Sequence, residues 1–272
     1  MEVRFWGVRG SIAVSGNKYT ATGGNTPCVE ILHEGARLIL DGGTGLRGLG
    51  DSIGFVPIEA NLLFTHVHWD HIQGVPFFTP AFNPNVKLTF IGTRRDSGSL
   101  RDALATQMRP PTFPITLDML RAKLAFREIE RDSPFQVGPF TVTPKDLNHP
   151  DGVLAYRIES GGRSVVFATD VEHGDKLDER LVELSDGADL LIHDAQYTVP
   201  EYRGEKGPSR RGWGHSAWND AVEVGRRAGV GRLALYHHDP LRDDLGVAEI
   251  EAQARAILPH AFAAREGLSV GV

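Results

Sequence analysis

A chain of 272 residues, 41% hydrophobic and 24% charged, has the composition of an ordinary soluble globular protein with length for a substantial core. Its net charge of −6 argues against a general electrostatic grip on nucleic acid, and its single cysteine, Cys28, excludes an intrachain disulfide. No apolar run approaches the roughly 20 residues of a membrane-spanning helix, and the first segment, MEVRFWGVRG, lacks a signal-peptide core, so a cytoplasmic location is expected.

Val3–Trp6 reads as a short first strand, followed by turns at Gly7–Ser11 and Gly23-Gly24-Asn25. Cys28–Leu32 and Arg37–Leu40 pair around His33-Glu34-Gly35, where His33 is most simply a turn residue. The second of these strands runs into Asp41-Gly42-Gly43-Thr44-Gly45. Those glycines fit either a nest of N–H groups facing an anion or a tight strand-to-helix turn. Leu62–Phe64 then reads as a buried strand entering Thr65–His71, which holds three histidines and an aspartate within six residues. In extended backbone His66 and His68 project from one face, so both imidazoles reach one ion; Asp70 and His71, past a bend, can face a second. Imidazole and carboxylate donors suit zinc and other first-row metals. The HExxH pattern does not apply, because no glutamate stands between the histidines.

Val86–Ile91 is the next strand, and Ser99–Met108 a helix with Leu100, Ala103, Leu104 and Met108 on one stripe. Arg109–Pro114 breaks it, as a surface loop near a cleft mouth or as an ordinary connector. Lys123–Ile129, Phe140–Leu147, Val153–Glu159 and Arg163–Thr169 follow as strands. Pro150 pushes His149 toward extended backbone at a strand end. Asp170 ends another strand, and Leu190–Ala195 is a strand ending in the acid Asp194. Gly214-His215-Ser216 opens a helix with Ala217, Ala221, Val224 and Ala228 on one stripe, Ser216 being its expected cap. Leu233–Tyr236 ends in His237-His238, and neighbours on a strand face opposite ways, so one of the two serves a site there. His193 is expected to be structural, and His173 and His260 to lie on the surface. Lys206, Arg210 and Arg211 form a charged loop that is either solvated or phosphate-binding.

His66-Val67-His68-Trp69-Asp70-His71 resembles the HxHxDH signature of the metallo-β-lactamase superfamily, and the later strand-end positions extend that resemblance over nearly the whole chain. It implies an α/β fold, an αββα sandwich of two mixed sheets flanked by helices, forming one domain over residues 1–272. It implies two divalent metal ions: His66, His68 and His149 on one, Asp70, His71 and His237 on the other, and Asp170 between them. Zinc is the expected metal, with manganese or iron as alternatives, and Asp41 supports the ligands from behind. Asp70 is also carried over as a catalytic residue. The GHS segment resembles the ribonuclease Z branch, so His215 is implied as general acid or phosphate-oxygen donor, oriented by Asp194; a plain helix-start histidine is the alternative.

The expected function is hydrolysis of phosphodiesters by a hydroxide shared between the ions. The substrates are expected to be small, such as cyclic nucleotides. Bacterial ribonuclease Z carries a tRNA-gripping arm between the positions matching His149 and Asp170, and the 20 residues between them here read as two strands. No stable nucleic-acid complex and no membrane partner are expected, and a homodimer is left open. A thioester hydrolase of glyoxalase II type and a metal-holding regulatory protein without turnover are the other readings.

Overall fold

A computed structural model describes all 272 residues. Strands with one face on a core alternate in burial, as in Glu2–Gly7 and Phe140–Leu147. Leu190–Asp194 and Leu233–Tyr236 are buried throughout, as parallel strands covered on both faces must be. The strands form two sheets of seven. Across the first, the order is Ser269–Gly271, Glu2–Gly7, Cys28–His33, Ala36–Leu40, Glu59–Leu63, Lys87–Gly92 and Lys123–Glu128. Across the second, it is Ala261–Ala263, Leu233–Tyr236, Leu190–Asp194, Arg163–Ala168, Val153–Ser160, Phe140–Leu147 and Phe135–Val137. Each sheet is parallel from Ala36–Leu40 or Arg163–Ala168 toward one edge and antiparallel toward the other.

The sheets pack face to face over a core containing Phe5, Ile31, Leu38, Tyr156, Phe167, Ile192 and Tyr236. Helices Gly45–Ile53 and Leu100–Gln107 cover the outer face of the first sheet through Leu46, Leu49, Leu100 and Leu104. Glu179–Leu184, Trp218–Arg227 and Asp244–Ile257 cover the second through Leu181, Trp218, Val222 and Ile250. The result is the expected αββα sandwich. No helix is long and apolar enough to cross a membrane.

Two buried tyrosines tie the sheets together beside the histidine loop. Tyr156 Oη donates to Phe64 O at 2.6 Å and Tyr236 Oη to Gly7 O at 2.7 Å. Such bonds contribute about 1 kcal/mol net, and more is lost when a buried partner is left unpaired. Ser99 caps its helix by accepting from Asp102 N. Ser216 does not cap the helix after it: its hydroxyl donates to Val171 O, and Ala217 takes the cap position. The glycines after Asp41 make a tight turn rather than an anion nest. Gly42 N donates to His71 O and Gly43 N to Pro27 O, so neither is free for a ligand.

Candidate metal centre and active site

The site is assembled where strands end. Asp41, the loop from Phe64 to His68, Asp170, Asp194 and His237 all stand at the C-terminal ends of parallel strands, where α/β proteins place ligands. His149 arrives from the end of Phe140–Leu147. Three of these residues leave their strands in left-handed backbone: Asp41 at φ 59°, Asp170 at 55° and His237 at 59°. Non-glycine residues seldom adopt that conformation, so packing around each must hold it. Asp70 and His71 ride on the short helix Trp69–Ile72.

The side chains converge in two groups that share an edge. His66, His68 and His149 present ligand atoms to one point, and Asp70, His71, Asp170 and His237 to a second. His68 Nδ1 and His149 Nε2 are 3.0 Å apart. Asp170 faces both groups: Oδ2 lies 3.8 Å from His66 Nε2 and 3.9 Å from His149 Nε2, while Oδ1 lies 3.3 Å from His71 Nε2 and 3.1 Å from His237 Nε2. Asp70 Oδ2 is 3.4 Å from His71 Nε2 and 3.3 Å from His237 Nε2. A tetrahedral zinc with bonds of about 2.0–2.1 Å would separate neighbouring donors by about 3.3 Å, close to the 3.1–3.4 Å spacings of the second group. His238 is excluded from the cluster, because its Nε2 sits 3.0 Å from Ala264 O on the far side.

The far nitrogens of the rings are held by the chain. His66 Nδ1 lies 3.0 Å from Thr65 Oγ1 and His71 Nδ1 2.9 Å from Asp41 Oδ2. His149 Nδ1 donates to Gly214 O at 2.8 Å, and His237 Nδ1 to Gln196 Oε1 at 2.9 Å. A proton fixed on Nδ1 leaves the Nε2 lone pair facing the cluster. Two of those atoms, His66 Nε2 and His71 Nε2, are buried with no hydrogen-bond partner. Buried polar nitrogens without a partner are costly, and a cation at each group would satisfy them. The residues therefore fit a pair of divalent ions. Two glycines make room for the rings: a Cβ at Gly10 would lie 2.5 Å from His237 Nδ1, and one at Gly214 2.1 Å from His149 Nδ1.

The protonation pattern follows from burial and charge. Burial pushes His66 well below the ordinary histidine range, and His149 down to about 4. Burial also disfavours a charged His71, yet Asp170, Asp70 and Asp41 outweigh it and hold that ring well above the ordinary range. Asp70 and Asp170 are disfavoured as anions by burial, but the rings around them hold both well below the usual carboxylate range. This is an environment that keeps a positive charge between carboxylates.

A third grouping overlaps the second: Asp170, Asp194, His215 and His237. His215 Nδ1 donates to Asp194 Oδ2 at 2.8 Å and lies 3.8 Å from Asp170 Oδ2. Asp194 Oδ1 accepts from Gln196 N and Ser216 N, which locks the carboxylate. Burial opposes charge on His215, but Asp194 and Asp170 prevail and raise it to about 9. His193, the neighbour of Asp194 in the strand, points away and meets His173 at 3.2 Å between their Nε2 atoms. His173 is thus half-buried in a histidine pair, not on the surface as expected, whereas His260 is exposed.

Beside Trp69 opens a groove of about 720 Å³ lined by Trp69, Gln73, Phe77, Gln107 and Phe113 among others. Thr112 and Phe113 put the Arg109–Pro114 loop on the wall of this groove, which is lined by none of the ligand residues themselves. Sequence reasoning missed Thr65, Gln196, Gly10 and Ser11, whose backbone N donates to Asp70 Oδ2 at 2.8 Å. None of these carries a chemical signature of its own; each acts through where the fold puts it.

The family model described as a beta-lactamase superfamily domain matches residues 37–238. Ribonuclease Z of Gemmatimonas aurantiaca is 24% identical, over 93% of this chain and 94% of its own. Among solved structures, the metallo-beta-lactamase fold protein YhfI from Bacillus subtilis superposes with a TM-score of 0.74 at 20% identity, covering 99% of this chain and 98% of its own. A diphosphatase from the PhnP family gives a TM-score of 0.73 at 17% identity, covering 100% and 97%.

Proposed function

The chain belongs to the β-lactamase superfamily, and on that premise we propose that it is a metal-dependent hydrolase that cleaves phosphodiester bonds of small substrates. The observation that carries the proposal is the His215–Asp194 pair, 2.8 Å apart and facing Asp170 without being needed to complete either ligand group. His66, His68 and His149 would hold one divalent ion and Asp70, His71 and His237 the other, with Asp170 shared; zinc is the expected metal. Ions bound there supply Lewis acidity and an activated water.

The remaining steps fall to the chain. His215, kept protonated at neutral pH by Asp194 and Asp170, can give a proton to the leaving oxygen. Asp194 takes the Nδ1 hydrogen bond and so fixes which nitrogen faces the reaction. A thioester's sulfur leaves without such a proton, so this pair favours an oxygen leaving group. Ribonuclease Z relatives point to the same class of bond. A small substrate is favoured by the span from His149 to Asp170, which is taken up by the strands Val153–Ser160 and Arg163–Ala168 and the turn at Gly161-Gly162. The test compares kcat/KM of zinc-loaded protein on a cyclic nucleotide, bis(p-nitrophenyl) phosphate, a thioester and a pre-tRNA with a 3′ trailer. Turnover of the small diesters is expected. Efficient trailer removal with feeble turnover of both diesters would overturn the size assignment, and preference for the thioester would overturn the bond assignment.

A further inference from the structure

Five arginines have no hydrogen-bond or ion-pair partner for their guanidinium groups: Arg109, Arg121, Arg203, Arg210 and Arg255. Four are exposed, where water serves them; Arg210 is half-buried. Its neighbour Arg211 has a different fate, donating to Asp175 Oδ1 at 3.0 Å over the ring of Tyr202. Arg210 instead lies over aromatic rings, its Cζ 4.4 Å from the centroid of Trp213 and 6.0 Å from that of Tyr197. The Tyr197 ring packs edge-on against His215, with centroids 5.9 Å apart. The Arg210 guanidinium therefore stands one ring removed from His215. Stacking on aromatic faces holds a guanidinium plane while leaving its N–H edge unused.

The loop that carries Arg210 is built rather than loose. Buried Glu172 accepts from Gly212 N and Gly214 N, both at 2.8 Å, and from Tyr202 Oη at 2.6 Å. Arg210 N donates to Tyr202 O, and Trp213 N to Arg210 O. A preorganised, half-buried cation with no acid beside it is a site for an anion. On the reading that His215 serves the leaving oxygen, Tyr197, Arg210 and Trp213 are groups next to it that lie outside the ligand set.

We propose that Arg210 binds a second phosphate of the substrate, on the leaving-group side, with Trp213 as its platform. This rests on the phosphodiesterase assignment and narrows it: the preferred substrates are diesters bearing an additional phosphate rather than diesters whose only phosphate is the one cleaved. The phosphate is recognised by charge-assisted hydrogen bonds from the guanidinium edge.

The test uses the zinc-loaded full chain and separates binding from turnover. Calorimetric titration compares adenosine 3′,5′-bisphosphate with adenosine 5′-monophosphate. The native protein should bind the bisphosphate about 10-fold or more tightly, Arg210→Ala should abolish that preference, Arg210→Lys should restore part of it and Arg211→Ala should keep it. A native protein that binds the two equally would overturn the proposal whether or not any diester is hydrolysed. Loss of the preference in Arg211→Ala as large as in Arg210→Ala would also overturn it, because the effect would then be the field of the loop. Turnover supplies the second measurement. On a dinucleotide with a terminal phosphate, Arg210→Ala should lose about 10- to 100-fold in kcat/KM, and on the same dinucleotide without it less than about twofold. Equal losses on both would make Arg210 a structural residue.

Discussion

The strand Leu190–Asp194 carries two neighbouring residues that set opposite fates for buried histidines. On one face Asp194 meets His215, and with Asp170 behind it the ring rises to about 9. On the other face His193 meets His173, where no carboxylate touches either ring; burial pushes both down, His173 to about 3. His193 and His215 are both deeply buried, so burial does not separate them. The difference lies in which groups the strand's pleat turns toward each ring. A carboxylate at hydrogen-bond distance favours the charged form, and its absence leaves desolvation unopposed. The face toward the ligand groups is thereby a place to hold positive charge, and the face behind it a neutral support.

The largest effect should come from removing the charge that the active face is built around. Asp170→Ala takes away the one carboxylate within reach of both ligand groups. Metal content, measured by elemental analysis of protein purified without chelator, should fall from near two equivalents to well below one, and turnover with it. His66→Ala should chiefly cost one equivalent, and loss of both in equal measure would break the distinction between a shared and a single-ion ligand. Next in size, His215→Ala should retain its metals while losing on the order of 10²–10⁴ in turnover, with a smaller loss for a leaving group that needs no proton. Metal loss alongside would place His215 among the ligands. Smaller again is Asp194→Asn, which keeps the shape of the pair and removes its charge. His215 must be protonated to act and its charged form is stabilised on folding, so activity persists below its titration and falls above it. Without Asp194 the alkaline limb of the pH–rate profile should move to lower pH. An unmoved limb would assign it to another group.

Much of the candidate site was legible because the chemistry of possible ligands is written in residue types. His66, His68, Asp70 and His71 sit in one short segment, and His149, Asp170 and His237 each follow a readable strand. The two sheets were legible from their alternating and continuous apolar runs. What was not legible depends on direction rather than identity. Ser216 looks like a helix cap, yet its hydroxyl is drawn to Val171 O. Gly42 and Gly43 look like an anion nest, yet their N–H groups close a turn. Thr65 and Gln196 look like nothing, and they orient His66 and His237. His173 was misplaced because its partner lies 20 residues away on the strand Leu190–Asp194, a pairing that no local pattern announces.

The smallest effect concerns the neutral face. His193 Nδ1 lies 2.7 Å from Asp194 O and can only donate there, which makes its Nε2 an acceptor. His173 Nε2 must then donate to it, leaving His173 Nδ1 to accept from Asp178 N at 3.0 Å. Every proton in this chain is assigned only while both rings are neutral, and a further proton on either breaks a bond. Both rings are lowered relative to the unfolded chain, so their contribution to stability is full above the unfolded value near 6.5 and is lost as pH falls toward the folded value, about 3 for His173. A proton taken up only on unfolding changes stability by about 1.4 kcal/mol per pH unit. His173→Gln removes one such site without a charge of its own. Its stability deficit against the native protein, measured by urea unfolding from pH 7 to pH 5, should therefore shrink as the pH falls. A deficit that stays constant would mean that His173 carries no proton linkage, and that the two faces of the strand differ in contacts but not in charge.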